Sequence, residues 1–426
     1  MRHVYNGRWG TTWVVTIGPV ISLPLGLLAH LTGVSVVVSR LYVLALVAGC
    51  FIAATRIAGL KGRFVPIAAL IFILWVACMP WRPTINGSSF NLIANVFGEG
   101  SAFGFALLAN LLAAKRGLRS RSLAWIFALF AVGSKTVAVV AVVAPLAYIV
   151  WDTLKTRSWK SLGWPGLLAA LGIFGAWQAW QAYVLGWPQF IGEWSGFFFW
   201  LNHGGGYAEG LAITLGSKWA QLQSSYVQPS VLIALCLVAL GFIARFHSLA
   251  PRGTKMVLAS TIIFFSWWIL LSSRGWMRHL WVGYAMLGWL LAITYAQLIA
   301  KYRARWLETL LLASVLAVVA FFHGSLKALG PLNESARWAT QKKLADELQL
   351  QYPKARLFVP DWHFVPQVAF FQRKPQNNLE EIPIRPGDLV LCDLESSACE
   401  PQLFSQYCVP KMTSALTGYC VYGLAQ

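Results

Sequence analysis

Acidic residues are scarce in this sequence, and in its first third they are almost absent. There are 15 Asp and Glu against 34 Lys and Arg, and Glu99 is the single carboxylate between Met1 and Trp151. Charged residues of all kinds make up 12% of the chain, whereas an average soluble domain contains about 25%. This shortage excludes an ordinary soluble domain, so most of the chain must be solvated by lipid.

Motifs of nucleotide binding and hydrolysis are also missing. The sequence contains no G-x-G-x-x-G pattern, no phosphate-binding loop, no His-Glu-x-x-His helix and no Gly-x-Ser-x-Gly elbow. The net charge of +19 does not indicate a nucleic-acid partner, because the positive residues fall in short clusters between apolar runs. Such clusters are typical of loops that face the anionic side of a membrane. We therefore expect membrane lipids as partners and no nucleic acid.

Long apolar runs are abundant. Hydrophobic residues make up 58% of the chain and the mean hydropathy is +0.60. A membrane-spanning helix needs about 17 to 25 apolar residues. Runs of this kind occupy residues 35–56, 65–81, 97–114, 164–186, 229–246, 256–272, 277–300 and 306–326.

The stretch from 122 to 154 is too long for one untilted crossing and short for two. It is interrupted at Gly133-Ser134-Lys135, which predicts a hairpin of one short and one full helix with Lys135 at its turn. With this hairpin, alternate connections carry 16 and five basic residues. The positive-inside rule places the richer set in the cytoplasm. The five that then face outward are Arg82, Lys135, Lys218, Arg274 and Arg278.

The first apolar segment, residues 12–33, has two interpretations. Arg2 and Arg8 precede it, as in a signal anchor, but Gly18-Pro19 and Pro24 interrupt it. We favour a juxtamembrane helix that lies in the plane of the outer interface. The predicted fold class is a polytopic α-helical membrane protein with about ten spans, this juxtamembrane helix, and a small C-terminal extracytoplasmic α/β domain.

The chain changes character near residue 330. Ten of its 15 carboxylates follow Pro331, and the long apolar runs stop there. We therefore predict a membrane domain over 1–330 and an exported domain over 331–426. Four cysteines in an exported domain suggest two disulfides with three possible pairings, although free thiols remain open. A zinc site has less support, because the spacing lacks a Cys-x-x-Cys pair. The four are Cys392, Cys399, Cys408 and Cys420.

This topology brings polar residues to the outer side of the membrane. Cations at a membrane boundary suit a lipid-borne phosphate, and a nearby carboxylate suits a general base or a ligand for a divalent metal ion. The candidate phosphate-binding residues are Lys135, Arg82, Arg274, Arg278 and His279, and the candidate catalytic residues are Glu99, Glu193 and Glu209, the last two in a predicted loop over 187–228.

Each candidate also has a structural alternative. Arg82, Arg274 and Arg278 could extend to lipid headgroups by snorkelling, and Lys135 could be an interfacial anchor. Glu99 could be a buried acid that pairs with a lysine and has only a structural role. The sequence leaves these alternatives open.

Several segments resemble the GT-C superfamily of membrane glycosyltransferases, which includes the protein O-mannosyltransferase and aminoarabinose transferase relatives. Residues 18–41 resemble that family's juxtamembrane helix, with Arg40 opening the next span. FGEGSAFGFALLANLLAAKRG resembles the helix whose outer end carries the family's second acidic residue, here Glu99. AVGSKT resembles the turn of the short hairpin, with Lys135, and RGWMRHLW resembles a late helix preceded by Arg. Residues 336–375 resemble the opening of the family's small exported domain.

The resemblance implies a glycosyltransferase of the bacterial inner membrane that moves a hexosyl or pentosyl group. Its donor would be a polyprenyl-phosphate sugar, and its acceptor a glycan, lipid or protein at the outer face. The family's first helix and first acidic motif have no counterpart before Tyr5. A misassigned start, a trimmed chain or a lost carboxylate would each account for this. The rival interpretations are a transporter, a non-catalytic lipid-carrier-binding protein, and an O-antigen ligase or polymerase.

Overall fold

The computed structural model describes eleven parts of the chain, and every structural statement below concerns these residues alone. They are residues 19–32, 36–77, 98–200, 216 and 218, 252–271, 277–302, 343–359, 376–378, 387–393, 408–414 and 419–424. The chain divides into two compact units. The larger comprises Gly10–Leu28 and Ser35–Ser325, and the smaller Met1–Trp9, Ala29–Val34 and Leu326–Gln426.

The larger unit is helical wherever it is described, apart from short turns. Its helices are α1 (Pro19–Thr32), α2 (Val36–Ile57), α3 (Phe64–Ala77), α4 (Glu99–Ala113), α5 (Leu118–Ser134), α6 (Ala138–Thr156), a 3₁₀ turn (Trp159–Leu162), α7 (Trp164–Leu185), α8 (Trp187–Trp200), α9 (Arg252–Leu270) and α10 (Met277–Tyr302). The last residues of α1, 29–32, are assigned to the smaller unit. Four segments are long and apolar enough to cross a membrane: Val38–Ile57, Ala138–Thr156, Arg252–Leu270 and Leu280–Ala300. The chain is therefore a multi-pass membrane protein.

Two predictions about the helices can be compared directly with the structure. The interrupted stretch at 122–154 is a hairpin of α5 and α6, with Lys135 in the turn, as predicted. The predicted loop over 187–228 is wrong at its start, because residues 187–200 form α8. Within this helix Trp187 contacts Phe190 and Trp194 contacts Phe198, and the Trp194 indole donates a hydrogen bond to Gln178 of α7 at 3.0 Å. The predicted spans at 229–246 and 306–326 lie outside the described residues, so the number of spans stays a prediction.

Helix α4 is the centre of the larger unit. Every one of its residues is buried, and it packs against α2, α5, α6, α9 and α10. Small residues along it let neighbouring helices approach closely, as in other membrane bundles. The side chain of Asn110 connects α4 to α6 and α9 by hydrogen bonds. Its amide donates to the Ala106 carbonyl at 2.8 Å and the Ala141 carbonyl at 3.1 Å, and it accepts from Ser260 at 2.6 Å. No lipid can satisfy such groups, so these bonds keep a polar side chain inside the bundle.

One end of the α4–α5–α6 group is held by a buried ion pair, and we call it the Arg121 end. The Arg121 guanidinium is fully buried and lies 2.5 Å from the Asp152 carboxylate. It also donates to the carbonyls of Lys115 and Ser161. Arg116 approaches the other oxygen of Asp152 at 3.4 Å. Both oxygens of this acid therefore have partners, and it joins α6 to Arg116, just before α5, and to Arg121 in the first turn of α5.

The smaller unit contains a mixed five-stranded sheet and a helix, α11, over residues 343–351. The strands are β1 (Leu357–Val359), β2 (Gln376–Asn378), β3 (Leu389–Asp393), β4 (Cys408–Ser414) and β5 (Tyr419–Leu424). Their order is β2-β1-β3-β5-β4, with β1 parallel to both its neighbours and β5 antiparallel to both of its own. Arg356, just before β1, makes a two-pronged ion pair with Asp388, just before β3. This pair links the starts of the two central parallel strands.

The strand register narrows the predicted cysteine pairings. Cys392 of β3 lies directly opposite Cys420 of β5 in the antiparallel ladder. Partners in such a ladder have Cα atoms about 4.5 to 5.5 Å apart, which is within the range that a disulfide bridges. We therefore expect a Cys392–Cys420 disulfide in the protein isolated from membranes. Peptide mapping without reductant should recover the two peptides as one linked species, and recovery of either cysteine with Cys399 or Cys408 instead would contradict this pairing.

Candidate functional site

Glu99 is the first residue of α4, and its side chain is completely buried. The ammonium group of Lys135, in the turn between α5 and α6, lies 3.1 Å from Glu99 Oε1 and is itself only 3% exposed. The sequence predicts both residues at the same side of the bundle, and the structure brings them into contact. We call this side the Glu99 end.

A close approach of two backbones creates this contact. Gly98 precedes α4 with φ of 91°, a conformation that side chains rarely adopt. A Cβ at Gly98 would lie 2.2 Å from the Ser134 carbonyl oxygen, at the end of α5. Only a residue without a side chain permits this approach. The Gly98 carbonyl in turn accepts bonds from the Ser101 hydroxyl and the Ala102 amide, which hold the first turn of α4 in place.

The Glu99 carboxylate has an unusual shortage of partners. Lys135 approaches Oε1 at 3.1 Å but out of line for a hydrogen bond, and no described residue donates one to either oxygen. Buried ion pairs that serve stability normally need such bonds to offset the loss of water. Asp152 at the Arg121 end shows the contrast, because both of its oxygens are bonded by arginine. Asp152 is arranged as a structural acid, whereas Glu99 retains capacity to accept hydrogen bonds.

The helices that lead to Glu99 and Lys135 are short for a membrane. At 1.5 Å per residue, the 15 residues of α4 span about 22 Å and the 17 residues of α5 about 26 Å. The hydrocarbon core of a bilayer is about 30 Å thick. Both helices are therefore shorter than the hydrocarbon core, by about 8 Å for α4 and about 4 Å for α5.

Aromatic side chains line the next turn of the bundle. Phe103, one turn after Glu99, packs edge-on against Trp281 of α10 with ring centroids 6.0 Å apart. Trp281 is fully buried, and its indole N–H has no partner among the described residues. Phe72 of α3 stacks on the other side of Phe103 at 5.4 Å. One turn along α4 from Glu99, three buried aromatic side chains are therefore packed together.

The start of α10 belongs to the same end of the bundle. Trp75, near the end of α3, and Tyr284 of α10 stack at 4.7 Å and bond each other's backbone carbonyls. Arg278 and His279 lie in the first turn of α10, one turn before Trp281, although their side chains are outside the described residues. The backbone thus carries two of the predicted cations to the helix end nearest Glu99.

The remaining predicted residues have different outcomes. Glu193 lies on α8, but its side chain is outside the described residues, as are Arg82, Glu209 and Arg274 altogether. Lys218 is described, and its ammonium donates to the carbonyls of Trp268 and Ile269. It therefore caps the C-terminal end of α9, where a cation is favourable. Within the described residues, no three His, Cys, Asp or Glu side chains cluster as metal ligands do.

Sequence reasoning missed Gly98 and Trp281. The Gly-Glu-Gly run at 98–100 contained a signal for the first, because glycine adopts positive φ readily and permits close approach of another backbone. Trp281 had no distinguishing signal among 22 tryptophans.

Comparisons with known proteins agree with this architecture. No protein-family model matches the sequence, and no curated protein is similar to it in sequence. Among solved structures, ArnT from Cupriavidus metallidurans bound to undecaprenyl phosphate has a TM-score of 0.62 at 15% identity, covering 99% of this chain and 91% of that one. The apo state of the same protein has a TM-score of 0.56 with the same identity and coverage.

A weaker likeness is to the archaeal oligosaccharyltransferase AglB from Archaeoglobus fulgidus, in complex with an inhibitory peptide and a dolichol-phosphate. Its TM-score of 0.46 at 12% identity, covering 100% of this chain and 69% of that one, is too low to support a fold by itself. The likeness to ArnT extends over nearly the whole of both chains and agrees with the prediction of a helical membrane protein, while the predicted number of spans stays a prediction. The chain has the fold of ArnT.

Proposed function

We propose that this protein is a glycosyltransferase that moves a sugar from a polyprenyl-phosphate-linked donor to an acceptor at the outer face of the bacterial inner membrane. The observation that carries the proposal is the Glu99–Lys135 pair, in which a buried carboxylate has one cation and no hydrogen bond. An undecaprenyl phosphate bound to ArnT, a protein of the same fold, supports a lipid-borne phosphate as the ligand.

The proposed site has the charge that a lipid-borne phosphate needs. A phosphate below the membrane surface must be neutralised by protein groups, because bulk water does not reach it. Lys135 supplies one cation from the α5–α6 turn. We assign further contacts to Arg278 and His279 in the first turn of α10, and to Arg82 and Arg274 in the adjoining loops. The polyprenyl chain would lie along the lipid-facing side of the bundle.

The proposed transfer is a displacement at the anomeric carbon of the sugar. The acceptor oxygen forms a bond to that carbon as the carbon–oxygen bond to the phosphate breaks, and the released electron pair stays on the phosphate oxygen. The acceptor proton moves to a carboxylate, for which Glu99 is the first candidate and Glu193 and Glu209 are the others. Lys135 offsets the charge that the departing phosphate gains.

The membrane sidedness belongs to this proposal as well. The basic residues concentrated at the Arg121 end would face the cytoplasm, which leaves the Glu99 end and the C-terminal unit outside. The donor would then be used after it has crossed the membrane.

The purified protein in lipid nanodiscs provides the test. We expect undecaprenyl phosphate to bind and to raise the melting temperature, whereas undecaprenol, which lacks the phosphate, should not. With a labelled polyprenyl-phosphate sugar and a cell-envelope extract, label should leave the donor and polyprenyl phosphate should accumulate. Binding without release of polyprenyl phosphate from any donor would indicate a non-catalytic lipid-carrier-binding protein. Absence of binding would contradict the proposed function.

A further inference from the structure

If the proposed function holds, the ammonium group of Lys135 is the counter-ion of two anions, the Glu99 carboxylate and the donor phosphate. In the structure its ammonium is the single described cation within ion-pair distance of Glu99. The same ammonium is the buried cation that a donor phosphate would meet at this end of the bundle. One ammonium in a site without water cannot fully neutralise two anions.

We infer that donor binding moves Lys135 from Glu99 to the phosphate, so that the carboxylate becomes an active base only when a donor is present. The inference rests on the proposed function and adds a regulatory step to it. Before the donor binds, Glu99 is held by its ion pair. After it binds, the carboxylate has neither a counter-ion nor hydrogen bonds, and it then accepts a proton readily.

The local structure favours movement of Lys135 over movement of Glu99. Glu99 is fixed by its backbone, because Gly98 is locked against Ser134 and by two bonds to its carbonyl. Lys135 lies in the turn between two helices, with extended backbone and a flexible four-carbon stem. Its approach to Glu99 is also out of line for a hydrogen bond, so no hydrogen bond to that carboxylate breaks when it turns away. We therefore expect the lysine to move and the glutamate to stay in place.

Two roles of Glu99 can be told apart by phosphate binding: competition with the phosphate for Lys135, and positioning of Lys135 for the phosphate. If Glu99 competes with phosphate for Lys135, Glu99→Gln should bind undecaprenyl phosphate more tightly than the wild-type protein, by about tenfold. If Glu99 instead holds Lys135 in place for the phosphate, the same variant should bind more weakly. Lys135→Gln should bind more weakly in either case.

The experiment is a double-mutant cycle on undecaprenyl phosphate binding in nanodiscs. It uses the wild-type protein, Glu99→Gln, Lys135→Gln and the double variant, whose two neutral amides leave no unpaired buried charge should one single variant fold poorly. We expect the gain from Glu99→Gln to vanish when Lys135 is already Gln. A gain that persists in that background would mean that Glu99 merely repels the phosphate, and it would overturn the exchange. Equal or weaker binding by Glu99→Gln would overturn it too. Failure of the wild-type protein to bind would instead refute the proposed function and the exchange with it.

Discussion

The Glu99→Gln variant is expected to lose sugar transfer while it remains folded. Glutamine has the shape of glutamate but cannot accept the proton of an attacking hydroxyl, and loss of a general base typically lowers a rate by about 10²- to 10⁴-fold. The amide fits the same buried position at the start of α4, so the bundle should assemble normally. The measurement is the single-turnover rate of label transfer at saturating donor, which separates the chemical step from donor affinity.

Matched variants make this result decisive. Glu347→Gln makes the same chemical change on α11, in the smaller unit, and should transfer at the wild-type rate. Glu193→Gln and Glu209→Gln replace the other two candidate bases. A Glu99→Gln rate equal to that of the wild-type protein, with a large loss in one of these two, would move the base to that residue and leave Glu99 as a structural acid paired with Lys135.

The second large effect is expected from Gly98→Ala, which adds one methyl group beside the ion pair. Alanine at φ of 91° costs about 1 to 2 kcal/mol, and the overlap with the Ser134 carbonyl adds about 1 to 3 kcal/mol. Because the obstacle is backbone, the start of α4 must separate from the α5–α6 turn. A displacement of about 1 Å at a reacting group can lower a rate by about 10²-fold. We expect a lower melting temperature together with loss of both lipid phosphate binding and transfer.

Gly172→Ala is the control for this variant. Gly172 lies inside α7, and a Cβ there would meet no atom within 4 Å. Alanine also favours a helix interior over glycine by about 0.5 to 1 kcal/mol, so the control should melt at or above the wild-type temperature. If Gly98→Ala retained wild-type binding and transfer, the contact between α4 and the turn would not be what places Glu99 beside Lys135.

Parts of this architecture were readable from the sequence because they depend on local composition. The lengths of the apolar runs predicted the helices near 36–57, 164–185 and 277–302, and the interruption at Gly133-Ser134-Lys135 predicted the α5–α6 hairpin. The residues at 187–200 were assigned to a loop because that run ends in a polar, glycine-rich stretch. They instead form a helix, with ring contacts along it and a hydrogen bond from Trp194 to Gln178 of α7.

Pairings between distant residues were not readable in the same way. Arg121 was counted as one cation of a basic loop, and nothing in its neighbourhood indicated that it would be buried against Asp152. The sequence left the pairing of the four tail cysteines open, and it did not indicate that Cys392 lies opposite Cys420 in the register of β3 and β5. Such contacts depend on how elements far apart in the chain are packed, which composition does not encode.

The scarcity of acids by itself determined that this is a membrane protein and that Glu99 is the carboxylate to examine, because an ionisable group among apolar runs is costly wherever it lies. The sequence also predicted Glu99 and Lys135 at one side of the bundle. Only the tertiary structure decided that they touch, since the contact requires Gly98 to meet the Ser134 carbonyl. It also showed that Glu99, unlike Asp152, has no hydrogen bond from a described residue, and that difference is what makes it a candidate for chemistry.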